Sequence, residues 1–596
     1  MKNLKYILLG LGVSGLVTSC ADILEKEPID IISENVVWND ARMAEGILDN
    51  ILEEMMFMFS EAPYENGTGT HLWGMHDAIT VSDEARHAFS WYGTHTTWGR
   101  GLINENGGFL EYWLYPTIRK ANEMIENLQE TEIDRATADQ LIAKARWCRA
   151  MCYFAMVKRY GGVPLVLRAQ SMDDSYEELY VKRDKEQAVY DFILNEMDEI
   201  ATIMPDRDKG GYPCKWAAYA LKSRAAMYAA SIATWGEVQI DGLVGIPQSE
   251  AKRYWQACYD ASDKLIKEGG YALYNKYPDD KVKNFRQLFL DEGNSESIMV
   301  MQFTGQDAVG RNHGWDMFTG PQGFVAWAGS SAAVYLDMVE SFENIDGTPG
   351  TFDRAKYEKG LWTPEEIFAN KEPRFFASIV TQSTPFQGSQ VEYYKNLILP
   401  DGSKMTGVTN SYEGVSASGA GNVENGGVTG FSILKYIDES KVKPGNWSSE
   451  TDWMIFRLGE IYLNQAEACI ELGKTGEALN LVNAIRERAG VALLTSIDRD
   501  KVRHERKIEL AFESHRWFDL RRWRIAEEAI SKEFKGLCYD LDYNSYVQGT
   551  PKYKITVIDR VDGDNQKYFP KKMYYLPITK GRISNNPNLA PENPGY

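Results

Sequence analysis

Apolar residues recur at helical spacing along most of the first half of the chain. Leu141, Ala145 and Cys148 are typical, because residues three or four apart share one face of a helix. The pattern predicts helices at about 38–59, 110–130, 136–160, 185–203, 213–234 and 248–268, and later at about 452–472 and 475–489. Successive helices joined by short turns indicate antiparallel helical pairs, the unit of tetratricopeptide-type scaffolds.

One charged stretch near the end, Arg503 to Trp523, contains no glycine or proline and is predicted to be a continuous helix. Glu505, Glu509 and Glu513 are four residues apart and would lie along one helical face. Bulky apolar residues interleave with paired charges here, which predicts ion pairs at the edge of a core. We therefore expect this stretch to be a structural brace and not a catalytic centre.

Two long stretches, 60–110 and 270–450, lack a regular period and are predicted to be rich in loops. Loops of this length in a compact protein are usually functional. Aromatic residues cluster in both stretches, and polar side chains stand beside them. The aromatic clusters are Trp73, Trp91, Tyr92 and Trp98 in the first stretch and Trp315, Phe318, Phe324 and Trp327 in the second.

These clusters are typical of a carbohydrate-binding surface. An indole can stack under the apolar C–H face of a sugar ring, while polar side chains bond to the hydroxyls around its rim. The alternative is that the aromatic residues pack the loops against the helices, because large aromatic side chains are mostly buried. The predicted ligand-binding residues are Trp73, Asp83, Trp91, Tyr92, Trp98, Arg311, Asn312, Trp315 and Trp327.

Motifs for catalysis or metal binding are missing from the sequence. His504-Glu505 lacks the second histidine of a zinc-protease helix, and the nucleophile-elbow and Walker A patterns do not occur. Four of the seven histidines fall between residues 60 and 110, but no two of them have the helical spacing of metal ligands. We predict no catalytic residue, metal or cofactor. A surface glycosidase remains an alternative, because 85 acidic residues allow many carboxylate pairs.

Charge and the amino terminus narrow the possible partners. The formal net charge of −20 argues against nucleic acid, which needs clustered Lys and Arg. Lys2 and Lys5 precede an apolar run from Tyr6 to Val17 that is too short to span a bilayer. Leu16-Val-Thr-Ser-Cys20 resembles a bacterial lipobox, which predicts a signal peptide over 1–19 and lipid on Cys20. The other six cysteines are scattered and predict neither a disulfide framework nor a zinc site.

The Arg503–Trp523 stretch also resembles the hallmark segment of the RagB/SusD family of outer-membrane nutrient-binding lipoproteins. Other segments match in the expected order: Asp22–Pro28, Arg159–Val166, Ser341–Thr348, Lys371–Phe375 and the tail from Tyr575 to Tyr596. The resemblance implies one mostly α-helical, tetratricopeptide-like domain over 20–596. Its helical scaffold would cover 35–268 and 450–525, and a loop-rich, ligand-binding half would cover 270–450.

The resemblance further implies a function. Members of this family bind glycans on an aromatic surface and act as the lid of a TonB-dependent transporter. We therefore expect an outward-facing, lipid-anchored protein that passes an oligosaccharide to a SusC-like transporter without transforming it. A peptide ligand, as in RagB-like members, and a purely protein-binding adaptor remain alternatives. Because ligand residues vary within the family, the predicted site residues depend on their position and chemistry alone.

Overall fold

A computed structural model describes residues 34–55, 76–108, 110–209, 211–303, 312–422, 428–445 and 448–596. The α-helices within these ranges are α1 Glu34–Asn39, α2 Ala41–Glu54, α3 Asp77–Thr80, α4 Tyr115–Asn127, α5 Arg135–Tyr160, α6 Tyr176–Leu179, α7 Glu186–Ile200, α8 Lys215–Trp235, α9 Ala251–Glu268, α10 Lys281–Gln287, α11 Trp315–Thr319, α12 Leu336–Ser341, α13 Arg354–Tyr357, α14 Pro364–Phe368, α15 Pro373–Ser378, α16 Leu458–Glu471, α17 Thr475–Ala489, α18 Arg499–Glu509, α19 Arg516–Arg522, α20 Ala526–Ile530, α21 Tyr543–Val547 and α22 Lys580–Asn585. A turn of π-helix covers Thr94–Trp98.

The strands are short and form several small sheets. They are β1 Ala85–His87, β2 Ser297–Met301, β3 Ala332–Val334, β4 Ile379–Val380, β5 Pro385–Phe386, β6 Ser389–Gln390, β7 Asn396–Ile398, β8 Lys404–Thr406, β9 Ser411–Tyr412, β10 Val415–Ser416, β11 Ser432–Ile433, β12 Trp453–Arg457, β13 Gly536–Asp542 and β14 Tyr553–Ile558. The two four-stranded sheets have the orders β1-β3-β11-β4 and β14-β13-β7-β8.

The long helices pack against one another largely in chain order. Helix α4 packs on α5, α5 on α7, α7 on α8 and α8 on α9, and α9 then packs on α16, which packs on α17. On α8, Ala217, Ala225 and Ala229 are fully buried, and such small side chains let neighbouring helices approach closely. The prediction of a mostly helical scaffold of packed pairs is confirmed.

A cluster of buried ion pairs joins this scaffold to the loop-rich segment 270–450. Glu505 and Glu509 on α18 accept bonds from Arg374 Nη1 on α15 at 2.6 Å and 3.0 Å. Glu509 and Glu513 accept bonds from Arg457 at the end of β12, at 2.8 Å and 2.7 Å. All five side chains are at most 4% exposed, so the cluster lies inside the protein and not at the edge of its core. This is the structural role that the sequence predicts for these glutamates.

The prediction of one continuous helix from Arg503 to Trp523 is wrong. Helix α18 ends at Glu509, and the chain turns through positive φ angles at Phe512 and Ser514 before α19 begins. Polar groups from distant parts of the chain stabilise this break with hydrogen bonds. Lys435 Nζ donates to the carbonyls of Glu509 and Ala511, and the Phe512 N–H donates to Glu84 Oε1 at 2.9 Å. Because these partners lie far away along the chain, local spacing does not reveal the break.

Two other predicted helices differ from the structure. Residues 453–457 form strand β12, paired with β2, and α16 begins only at Leu458. All five residues of β12 are buried, and periodicity alone cannot separate such a short apolar run from a helix. The first predicted helix is divided at Asp40, whose side chain caps α2 by accepting bonds from the Arg42 and Met43 N–H groups.

Candidate functional site

Two segments leave the same end of the β1-β3-β11-β4 sheet. Strands β1 and β3 are antiparallel, with His87 opposite Ala332. The Ala88 N–H extends this pairing by donating to the Ser331 carbonyl at 2.8 Å. In an antiparallel pair, the end of one strand lies beside the start of the other. The segment after β1 and the segment before β3 therefore begin side by side.

Each of these segments presents an exposed tryptophan. Trp91 is 61% exposed, and its ring stacks on Phe89 with 5.4 Å between ring centroids. Trp327 is 49% exposed and meets the buried Phe318 edge-on at 5.7 Å. Among the residues that the structure describes, these are the two tryptophans with largely exposed rings. We call the area that they and Phe89 form the Trp91–Trp327 surface.

The loop that carries Trp327 is held by backbone hydrogen bonds on both sides. The Ala326 N–H donates to the Pro444 carbonyl at 3.0 Å, and the Gly329 N–H donates to the Met317 carbonyl at 2.9 Å. Gly329 has a φ of +73°, and a Cβ at this position would approach Gln322 Cα to 2.7 Å, so only glycine fits. A ring on a fixed loop loses less conformational freedom when it binds a ligand.

The structure places Trp98 and Trp315 inside the core, against the prediction that they contact ligand. Trp98 is 2% exposed and lies 6.3 Å from the ring of Trp517. Trp315 is fully buried, and its Nε1 donates to the Lys435 carbonyl at 3.0 Å. A ring without an accessible face cannot stack against a sugar. For these two residues, the packing alternative describes the structure.

Tyr92 and Asp83 are also buried. The Tyr92 ring stacks on His87 at 4.1 Å, and its hydroxyl is hydrogen-bonded to Asp77. Asp83 accepts from Arg516 Nε at 2.7 Å and from Lys507 Nζ at 3.2 Å. Burial raises the pKa of Asp83, but these two cations outweigh it and hold that pKa well below its usual range. Both side chains therefore support the fold beneath the Trp91–Trp327 surface and do not form part of it.

The remaining predicted residues divide into two groups. Asn312 is half-buried at the start of the segment that leads to Trp327. Trp73, Arg311 and the lipidation residue Cys20 lie outside the described residues. Phe89 was not predicted, although it stands two residues before Trp91 and just after a strand. Its position two residues from Trp91, in the same aromatic-rich segment, is the signal that points to Phe89.

The ionisable groups Asp316 and His76 under this surface are buried. Asp316 is 1% exposed, its Oδ1 accepts from the Asp438 N–H at 2.9 Å, and burial raises its pKa to about 7. Burial also lowers the pKa of His76 to about 3, which keeps that ring neutral. Across the described ranges, no three His, Cys, Asp or Glu side chains are grouped so that they could hold a metal ion. Neither Asp316 nor His76 is accessible, whereas the rings of Trp91 and Trp327 are.

Two family models match the chain. A model described as the SusD family matches residues 295–596, just over half of the sequence, and a model described as starch-binding and associating with the outer membrane matches residues 33–227. The chain belongs to the SusD/RagB family. The recognition made from the Arg503–Trp523 segment is confirmed.

Curated relatives and solved structures agree with this membership. The SusD-like protein P2 of Formosa agariphila is 24% identical over 83% of this chain and 82% of its own length. A SusD-like protein of Bacteroides ovatus is 24% identical over 80% of this chain and 79% of its own. A SusD-like crystal structure from Bacteroides fragilis has a TM-score of 0.71 at 24% identity, covering 96% of this chain and all of its own. A laminarin-binding SusD-like protein has a TM-score of 0.58 at 19% identity, covering 94% of this chain and all of its own.

These likenesses establish the SusD-like fold for this chain. None of the described helices combines the length and the apolar composition needed to cross a lipid bilayer.

Proposed function

We propose that this SusD-family protein captures an oligosaccharide on the Trp91–Trp327 surface and passes it on without transforming it. The observation that carries the proposal is the pair of exposed indoles on neighbouring segments of one sheet end. Exposed aromatic rings on fixed loops offer the flat apolar faces that sugar rings stack on. The family model described as starch-binding and the laminarin-binding structural relative support a glycan as the ligand.

We further propose that the protein is anchored at the outer membrane by lipid on Cys20 and delivers its ligand to a SusC-like TonB-dependent transporter. The lipobox-like Leu16–Cys20 segment and the family model described as associating with the outer membrane support this location. A ligand that contacts both proteins favours the state in which they are closed around it, because a ligand shifts a conformational equilibrium by its differential affinity. Co-purification with a large outer-membrane barrel from the native membrane tests the partner. Its absence would contradict delivery.

Two acidic groups beneath this surface are too buried to serve as the carboxyl groups of a glycosidase. A glycosidase needs two accessible carboxyl groups on opposite sides of the scissile bond. Asp77 and Asp316, which lie beneath the aromatic rings, are 3% and 1% exposed. Incubation of the purified protein with each glycan that it binds should return the glycan intact. The appearance of shorter products would instead favour the glycosidase alternative.

One pair of variants tests the stacking contact, and a panel of ligands tests the ligand class. Trp91→Ala should weaken binding of the preferred glycan by about tenfold or more, and Trp91→Phe should retain most of the affinity, because a ring remains. Tyr546→Ala is the matched control, because Tyr546 is an exposed aromatic residue on α21 and belongs to neither of the two segments that carry Trp91 and Trp327. Binding should be measured by calorimetry against a panel of neutral glycans and of peptides. Binding of peptides alone would favour the RagB-like alternative.

A further inference from the structure

A second concave site lies away from the Trp91–Trp327 surface. It is a pocket of about 550 Å³ between the end of α8, the region where α19 connects to α20, and the carboxyl-terminal segment. Its walls include Trp235, Gln239, Arg524, Tyr574 and Tyr575. The volume falls within the roughly 300–1,000 Å³ that is typical of small-molecule sites.

The pocket has a positive charge balance in a strongly acidic chain. Its lining contains three cations, Arg524, Lys571 and Lys572, and two carboxylates, Glu237 and Glu527, whereas the whole chain has a formal net charge of −20. Lys571 and Glu237 form a loose pair at 3.3 Å, and both side chains are about two-thirds exposed. That pair is screened by water and counts for little. The remaining balance favours an anion in the pocket.

Arg524 is the arginine of this lining and can pair with such an anion. Its Nη1 donates to the Arg521 carbonyl at 2.9 Å, and its Nη2 donates to the Tyr575 hydroxyl at 2.8 Å. Within the described part of the chain, no carboxylate forms an ion pair with Arg524. The guanidinium is half-buried, so water solvates its charge only in part.

A second guanidinium behind the pocket adds to this positive field. Arg521 is 2% exposed and donates to four backbone carbonyls, those of Lys158, Arg159, Met573 and Tyr574. Burial, followed by repulsion from Arg524, lowers the pKa of Arg521, and no carboxylate is among the groups that shift it. These two neighbouring guanidiniums repel each other and have no directly bonded carboxylate, and a bound anion would offset that repulsion.

Three of the residues that line the pocket are aromatic: Trp235, Tyr574 and Tyr575. The Arg524 guanidinium lies 4.8 Å from the ring of Tyr574 and 5.0 Å from that of Tyr575. Trp235 is a half-buried indole, and the guanidinium of Arg503 lies 4.7 Å from its ring. Gln239 adds a polar amide to the lining. This combination suits a ligand with a ring face, hydroxyl groups and one negative group.

We propose that this pocket binds a single acidic sugar unit, a pyranose ring that carries a carboxylate or a sulfate. The negative group pairs with Arg524, and the ring lies against Trp235 and Tyr574. The preference for an anion follows from the charges of the pocket alone. The preference for a sugar rests on the glycan-binding function proposed above.

Calorimetry at low salt with four probes tests this assignment: glucuronate, glucose 6-sulfate, glucose and acetate. Wild-type protein should bind at least one of the two acidic sugars, and glucose and acetate should bind about tenfold more weakly or not at all. The Arg524→Met variant should lose about tenfold or more of that affinity. Lys571→Glu, at the exposed rim, should also weaken binding and gives a second reading if Arg524→Met does not fold.

Two controls separate this site from the rest of the protein. Arg253→Met removes an arginine on α9 that is already paired with Asp191 and Glu250, and it should leave binding of the acidic sugar unchanged. Trp91→Ala should also leave it unchanged while weakening the glycan on the other surface. The proposal is overturned if neither acidic sugar binds the wild type, if glucose or acetate binds as tightly, or if both charge variants bind like the wild type. Loss of glycan binding in Trp91→Ala alone bears only on the function proposed earlier.

Discussion

Arg457 Nη1 lies 2.8 Å from Glu509 Oε1, and both side chains are almost completely buried. The same carboxylate also pairs with Arg374 and Arg488. Burial disfavours the ionised form of Glu509, but the three guanidiniums outweigh it and hold its pKa well below the usual range. One glutamate thus ties together β12, α15, α17 and α18, which connect the helical scaffold to the segment that carries Trp327.

Removal of this charge should destabilise the whole fold. We expect Glu509→Gln to lower the free energy of unfolding by about 3–5 kcal/mol, because the partners of a broken buried pair keep their charge without compensation. Urea denaturation of the purified protein measures this change. Glu268→Gln is the control, because Glu268 pairs with Lys264 at the exposed surface of α9 and should cost about 0–1 kcal/mol. Equal stability of Glu509→Gln and wild type would contradict the bracing role.

Asp316 should make the free energy of unfolding decrease as the pH rises. Burial raises its pKa in the folded protein to about 7, whereas an unfolded aspartate titrates near 3.9. Between these two values the folded state holds more protons, so the stability that Asp316 contributes is complete below about pH 4 and is lost as pH rises towards 7.

The experiment that tests this compares the free energies of unfolding of wild type and Asp316→Asn between pH 4 and pH 8. The difference in free energy of unfolding should shift in favour of the variant by at most about 1.4 kcal/mol for each pH unit up to pH 7, and then level off. Asp438→Asn, a change in the residue whose N–H bonds to Asp316, provides a comparison for charge loss in the same region. A difference that stays constant over this range would show that Asp316 does not titrate there.

Variants of Trp98 and Trp91 distinguish a packing role from a ligand-binding role within one segment. Trp98→Ala should destabilise the protein by about 3–5 kcal/mol, because it leaves a cavity beside Trp517. The variant that remains folded should bind glycan with unchanged affinity, since its ring has no accessible face. Thermal unfolding and calorimetry on the same sample measure both effects. A large loss of glycan affinity with normal stability would instead show that Trp98 contacts the ligand.

The sequence predicts parts of this fold because some of its signals are local. The four-residue spacing of Glu505, Glu509 and Glu513, together with the apolar residues around them, is enough to indicate ion pairs at the edge of a core, but not that these pairs are completely buried. The break at Phe512 is not predictable in this way. It depends on Lys435 and Glu84, which are brought to this point only when the chain has folded.

The candidate site shows the same limit more sharply. Trp91 and Trp98 stand seven residues apart in one irregular segment, and composition gives both the same chance of meeting a ligand. Trp98 falls in a π-helical turn that packs against the brace, whereas Trp91 falls in the turn just before it and stays exposed. Exposure is therefore decided by tertiary contacts, and a loop rich in aromatic residues locates a site only to within a segment.

Affinities of wild type, Trp91→Ala, Trp327→Ala and the double variant, measured by calorimetry with the tightest-binding neutral oligosaccharide, test the central claim most directly. Each single variant should bind about tenfold or more weakly, and the double variant should lose more affinity than either single variant, because both rings contact the same ligand. Thermal unfolding should be unchanged in all three, since both rings are largely exposed. Wild-type affinity in the double variant would contradict the account.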